Sequence, residues 1–194
     1  MACVVTFHHR IGQDRLNGAI APQRSEAFHA LLEAALAETV LVAVGDQEVE
    51  LELTLCGDEE MTHLNFDHMG ERGPTDVLAF PLHEWSVDRG RSHLADEDAF
   101  TVPGGLLLGD IVIDVDQAVR QAVDVDWSPA QEIALLAVHG ALHLLGHDHA
   151  EVEDEVVMRA AERHVLTALR RSHADLDWRP GSLFDRVESV PSGA

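Results

Sequence analysis

The sequence predicts an α+β fold, a sheet of about four strands packed with helices, one of which runs buried through the centre. Two observations carry this expectation. From Glu48 to Leu55 the chain alternates, with Val49, Leu51, Leu53 and Leu55 on one side and Glu48, Glu50, Glu52 and Thr54 on the other. That is the period of a strand with one covered and one wet face. Farther on, Ser128-Pro129-Ala130-Gln131 combines a capping serine, a proline in the first turn and a glutamine three residues after the cap, which together start a helix. The helix it opens is apolar nearly all round from Ile133 to Leu145, as a buried central helix must be.

The remaining elements follow in order. Cys3 to Phe7 reads as a short strand, followed by a polar, glycine-containing connection to about Gln23. Ser25 caps a predicted helix to about Glu38, with Phe28, Leu31, Leu32, Ala35 and Leu36 as its apolar stripe, and Val40 to Val44 reads as a strand. Gly57 and Asp58 open a short helix to about His68, and Thr75 to Leu82 is a strand bounded by Pro74 and Pro81. Residues 83 to 105 are polar and charged and are expected to form a long loop, of the kind that is functional or mobile. Leu106 to Asp114 is an apolar strand interrupted by Gly109-Asp110, and Val115 to about Val125 is helical in composition. A last helix has Glu151, Glu153, Asp154 and Glu155 before it and ends near Arg170 and Arg171, a charge order that complements its dipole. Residues 1–172 thus read as a single catalytic domain. Residues 173–194, with Pro180, Gly181, Pro191 and Gly193, read as a loosely held tail.

At 194 residues the chain is long enough to bury a core without disulfides. Its two cysteines lie far apart and no apolar run opens it, which points to a reducing, cytoplasmic setting. No stretch approaches the roughly 18 uncharged apolar residues of a membrane span. The net charge of −22 repels polyanions unless cations gather on one face, and all 13 basic residues are arginine, a composition bias.

Thirteen histidines make chance pairs at helical spacing common, but His139, His143 and His149 stand apart from the rest. Residues four apart on a helix lie about 40° apart around its axis, so His139 and His143 project together. Gly146 can take the left-handed conformation that ends a helix and lets His149 return from a loop. Three imidazoles with an open fourth position are the arrangement of catalytic zinc, and imidazoles on an apolar helix are costly without a partner. One metal ion per chain is expected, zinc first, although histidines alone select weakly among nickel, copper and iron.

The same spacing is similar to that of the metzincin metallopeptidases, but where those have a glutamate base after the first histidine this chain has Gly140. The full segment His139-Gly140-Ala141-Leu142-His143-Leu144-Leu145-Gly146-His147-Asp148-His149 resembles the signature of the YbeY family of bacterial endoribonucleases and ribosomal RNA maturation factors. Gly73-Pro74-Thr75-Asp76-Val77-Leu78-Ala79-Phe80-Pro81 and Leu107-Leu108-Gly109-Asp110-Ile111 extend the resemblance, which covers about residues 48 to 172. It implies an α+β fold with a mixed sheet, a zinc site at His139, His143 and His149, and cleavage of single-stranded RNA. It also implies maturation of the 16S RNA 3′ end, ribosome quality control, and ribosomal particles or ribosome-associated proteins as partners, with neither DNA nor a membrane involved.

The chain departs from the family at Met69, where many members carry an arginine implicated in activity. Arg72 is close enough in sequence to replace it and steady a substrate phosphate, and is otherwise an ordinary loop arginine. His147 stands where many members have tyrosine, as a proton-handling group or, more simply, an exposed loop residue. Asp148 can orient an imidazole, act as a base, or cap the next helix. Zinc lowers the pKa of its water towards about 7 and polarises phosphoryl oxygens; attack by the RNA 2′-hydroxyl is the other route. Two further readings stay open: a zinc hydrolase of peptides or small molecules, and a non-catalytic, zinc-stabilised ribosome-assembly factor.

Overall fold

The computed structural model describes residues 3–20, 25–95, 100–103 and 105–172. The elements are β1 (Cys3–His9), α1 (Gln13–Ile20), α2 (Ser25–Val44), β2 (Val49–Cys56), α3 (Asp58–Met69) and β3 (Val77–Pro81), then β4 (Trp85–Asp88), β5 (Arg91–Leu94), β6 (Thr101–Val102), β7 (Gly105–Asp114), α4 (Val115–Asp124), α5 (Pro129–Leu144) and α6 (Val152–Ser172). The main sheet runs β1-β2-β7-β3, with β6 added along β7. β1, β2 and β7 are parallel and β3 is antiparallel to β7, so the sheet is mixed and the α+β expectation holds.

The alternation in β2 works as read on one side: Val49, Leu51, Leu53 and Leu55 are fully buried under the helices. On the other side Glu50 and Glu52 stay partly open, while Thr54 and Cys56 are buried. There α3 covers the far end of the sheet, where Cys56, Met61, Leu78 and Val112 form a second, small core. Gly109-Asp110 does not interrupt β7; a register shift opposite Glu50 and Glu52 absorbs it.

Three expectations are corrected. Val40 to Val44 is not a strand but the end of α2, which continues unbroken from Ser25. Val40 and Ala43 are completely buried, and the β preference of a valine run, a few tenths of a kcal/mol per residue, loses to that burial. Joined in this way, 26–44 is long and apolar enough to cross a bilayer by length and composition. In the fold its buried face packs against α5 and α6. The connection before Gln23 contains α1, which buries Leu16 and Ile20. The 83–105 segment is not one long loop: β4 and β5 form a hairpin about Arg89 (φ 50°) and Gly90 (φ 78°), the pair of positive φ values that a tight two-residue hairpin turn needs. The 173–194 tail lies outside the described residues.

The helix start at Ser128 forms as read. Its hydroxyl accepts the Gln131 N–H (3.3 Å), and the Gln131 side chain accepts the Ser128 N–H (2.8 Å). From there α5 is driven through the core, burying Ile133, Ala137, Val138, Ala141 and Leu142 on every side. Its C-terminal end emerges at the edge where β3 begins.

Candidate metal centre

His139 and His143 leave α5 one turn apart, with ring centroids 4.6 Å from each other. The helix then closes with a Schellman turn, in which the His147 N–H bonds Leu142 O (3.0 Å) and the Gly146 N–H bonds His143 O (3.0 Å). Gly146 has φ 84°, and a Cβ on it would stand 2.5 Å from Trp85 Cβ in the hairpin. Conformation and space both require glycine there. The reversed chain returns His149, whose ring centroid lies 5.4 Å from that of His139 and 5.0 Å from that of His143. One nitrogen from each ring falls within 4.8 Å of the others.

The atoms are disposed as a metal requires. His139 Nδ1 is 2.8 Å from Glu162 Oε1 on α6. A carboxylate only accepts, so Nδ1 carries the proton and the Nε2 lone pair is turned away from it. That Nε2 lies 3.1 Å from His143 Nε2. Two ligands about 2.0–2.1 Å from a tetrahedral zinc stand about 3.3 Å apart, so the spacing fits an ion between them. Burial first, and then His139 and His143's other neighbour His149, push the His143 pKa down to about 4. It is neutral at physiological pH, the form that binds metal.

Glu162 was not singled out in the sequence. It is buried on α6 between the apolar residues Met158, Val165 and Leu169, and an acid on an inward-facing stripe was the available signal.

The other candidates fall in different places. Asp148 is exposed beside the cleft, and its Oδ1 takes the His149 N–H (2.7 Å), four residues before α6 begins. His147 is not an exposed loop residue: it is 3 % exposed, its Nε2 meets no partner, and burial lowers its pKa. The Schellman turn pulls its backbone inward and the ring follows. Met69 lines the cleft of about 580 Å³ in front of the histidines; Arg72 is exposed on the 70–76 loop and is not among the residues that line it. Asp76 does line it, and is held by Val77 N–H (2.9 Å) and Gln121 Nε2 (2.9 Å).

Gly140, facing the sheet, fits tightly. A Cβ there would lie 2.8 Å from Ile111 Cγ2 and 3.3 Å from Val77 Cγ2. Both neighbours are β-branched and stiff, so no longer side chain enters without moving the strands.

An α+β domain with two helix-borne imidazoles, a third from the following loop and a carboxylate behind the first is the arrangement of a candidate three-histidine metal site. The chain belongs to the YbeY family. The family's profile, described as Endoribonuclease YbeY, matches residues 17–170, beginning well before the stretch in which the resemblance is visible by motif. Among relatives named Endoribonuclease YbeY, that of Salinispora tropica is 45% identical over 129 residues, 66% of this chain and 80% of its own. That of Desulfitobacterium hafniense is 40% identical over 139 residues, 72% and 83% of the two chains. That of Heliobacterium modesticaldum is 39% identical over 148 residues, 75% and 86%.

Proposed function

We propose that this chain is a metal-dependent endoribonuclease that cuts single-stranded stretches of ribosomal RNA, with zinc at His139, His143 and His149. The convergence of those three imidazoles in a chain matched to the family over 17–170 is the observation that carries the reading. A divalent metal held by these three histidines would supply polarisation of a phosphoryl oxygen and a nucleophilic water near neutral pH. The protein's own part is positional. Glu162 fixes the His139 tautomer, the Schellman turn fixes the approach of His149, and the cleft along β3 leaves room for a strand. In this reading Asp148, exposed at the cleft wall, takes a proton from the attacking hydroxyl or water, and His147, largely buried but also lining the cleft, is the second candidate for that role.

Maturation of the 16S RNA 3′ end, ribosome quality control and work on ribosomal particles in the cytoplasm are what membership of this family supports as the setting. The two free cysteines suit a reducing compartment. The filled space at Gly140 speaks against the peptidase alternative, since the glutamate base has nowhere to stand.

The test is to incubate the zinc-loaded protein and its His143→Ala variant with single-stranded RNA, structured RNA and a peptide library. Cleavage of single-stranded RNA by the wild type alone is the expected result. RNA cleavage that persists in the variant, or peptide cleavage in place of RNA cleavage, would overturn the reading.

A further inference from the structure

Behind the histidines a second cavity of about 370 Å³ opens between α5 and α6. It adjoins the cleft, sharing Asp76, Val77, His139 and His149 with it as a common wall. Its size lies at the lower end of pockets that hold small ligands, about 300–1,000 Å³, enough for one nucleotide unit and not for a folded strand. The floor is apolar, made by Leu135, Leu136, Met158 and Leu166. Arg159 and Arg163, one turn apart on α6, form the rim, and Glu155 holds the Arg159 guanidinium by a 2.8 Å bond to its Nε. At the inner end stand Trp127 and the carboxylate of Glu132, both buried.

An apolar floor with guanidinium groups at the rim suits an unstacked base, since flipped-out bases lie on aromatic or arginine planes and present their edges for hydrogen bonding. The charges decide between base and phosphate. A divalent metal at the histidines would draw a phosphate to the mouth of the cavity, whereas Asp76, Glu132, Glu155 and Glu162 outnumber the two arginines along its walls, so a phosphate driven past the metal meets repulsion. Carboxylates instead accept from the amino groups of a base edge.

We propose that the cavity between α5 and α6 seats one unpaired base of the RNA, beside the phosphodiester held at the histidine centre, and favours bases that carry an amino group. This rests on the endoribonuclease reading for the identity of the ligand. It also gives Arg159 and Arg163 the place beside the substrate for which Arg72 was the candidate in the sequence.

Equilibrium binding to the zinc-loaded full chain tests it without any cleavage. Cytidine 5′-monophosphate should bind at least about 10-fold more tightly than ribose 5-phosphate, which has no base, and more tightly than uridine 5′-monophosphate. Leu135→Trp, which fills the floor one helical turn before His139, should weaken cytidine 5′-monophosphate by about 10- to 100-fold, the scale of one lost stacking site, with zinc content measured alongside and unchanged. Arg163→Gln, on the exposed rim, should cost several-fold and serves if the tryptophan variant does not fold. Equal binding of cytidine 5′-monophosphate and ribose 5-phosphate by the wild type overturns the proposal, as does wild-type affinity in the folded variants. If the wild type binds the nucleotide as described but cleaves no RNA, the endoribonuclease reading fails and the base seat stands.

Discussion

His139, His143 and His149 at the end of α5, and Asp58, Asp114 and Asp116 where α3 meets α4, each bring three donor side chains within 4.8 Å of one another. The difference lies in what already surrounds them. The imidazoles bring one ring nitrogen each together, and the first has a carboxylate behind it that turns its other nitrogen towards the cluster as an acceptor. The carboxylates are already neutralised. Arg120 forks onto Asp58 at 2.9 and 2.5 Å, Arg15 pairs with Asp116, and Asp114 Oδ1 caps α4 through the N–H groups of Asp116 (2.9 Å) and Gln117 (3.3 Å). Asp114 Oδ2 is buried with no donor in reach, and it is satisfied when it carries a proton itself and gives it to Asp58. Burial and that neighbour push the Asp114 pKa up to about 7, while the Arg120 bond lowers that of Asp58. Proximity of ligating groups is therefore a poor guide to metal binding; the counter-charges decide.

The largest effect expected from this contrast is on metal content. Replacing His143 by alanine should take zinc from one per chain to far below it in elemental analysis, and lower RNA cleavage well beyond the roughly 100-fold that a supporting contact is worth. Asp116→Ala should leave zinc at one per chain. Loss of zinc in the aspartate variant would erase the distinction between the two clusters.

Next comes the brace. Glu162→Ala should weaken zinc by about 10- to 100-fold in competition with a chelator, because His139 is then free to turn or change tautomer. An unchanged affinity would mean that packing alone holds the ring.

The acid cluster should show itself in the pH dependence of stability. A folded pKa of about 7 against the ordinary 3.8 means that the folded state keeps a proton the unfolded state has lost. The stabilisation is complete below about pH 4 and disappears as pH rises towards 7. Because the proton is shared with Asp58, the change is on the order of 1–2 kcal/mol rather than the full value of the shift. In urea unfolding, Asp114→Asn, which keeps the helix cap and donates permanently to Asp58, should flatten this slope and be more stable than wild type at pH 8. A wild-type slope in the variant would assign the pH dependence to other groups.

The smallest effect belongs to Arg72. From its exposed position outside the cleft wall, Arg72→Ala should change cleavage by less than about threefold. A drop in the salt dependence of binding by about one phosphate contact would show instead that the 70–76 loop reaches the RNA.

The clustering of the three histidines was legible because its information is local: two residues on one helical face, a glycine at the reversal and a third residue just beyond. Glu162 was not, since its partner sits 23 residues away on another helix, and its place on the buried stripe of Met158, Val165 and Leu169 was the one local sign that this acid turns inward. The hairpin was hidden for a different reason. Two four-residue strands with an Arg-Gly turn give too short an alternation to read, and only Trp85, wedged against Gly146, shows why the segment matters to the site. Val40–Val44 misled because residue preference is weaker than burial, and what is buried is settled by α5 and α6, far along the chain.

At Gly140 the missing side chain also limits where this lineage can go. Reaching glutamate there in working form requires smaller residues at both Ile111 and Val77, on two paired strands, before the new carboxylate has room. Trimming Ile111 to alanine alone costs about 2–5 kcal/mol, a large share of the stability of an ordinary domain, and brings no activity until the last change is made. A glutamate at this position therefore asks for coordinated changes on two paired strands, and packing alone keeps a chain with the metzincin histidine spacing from taking up the metzincin base.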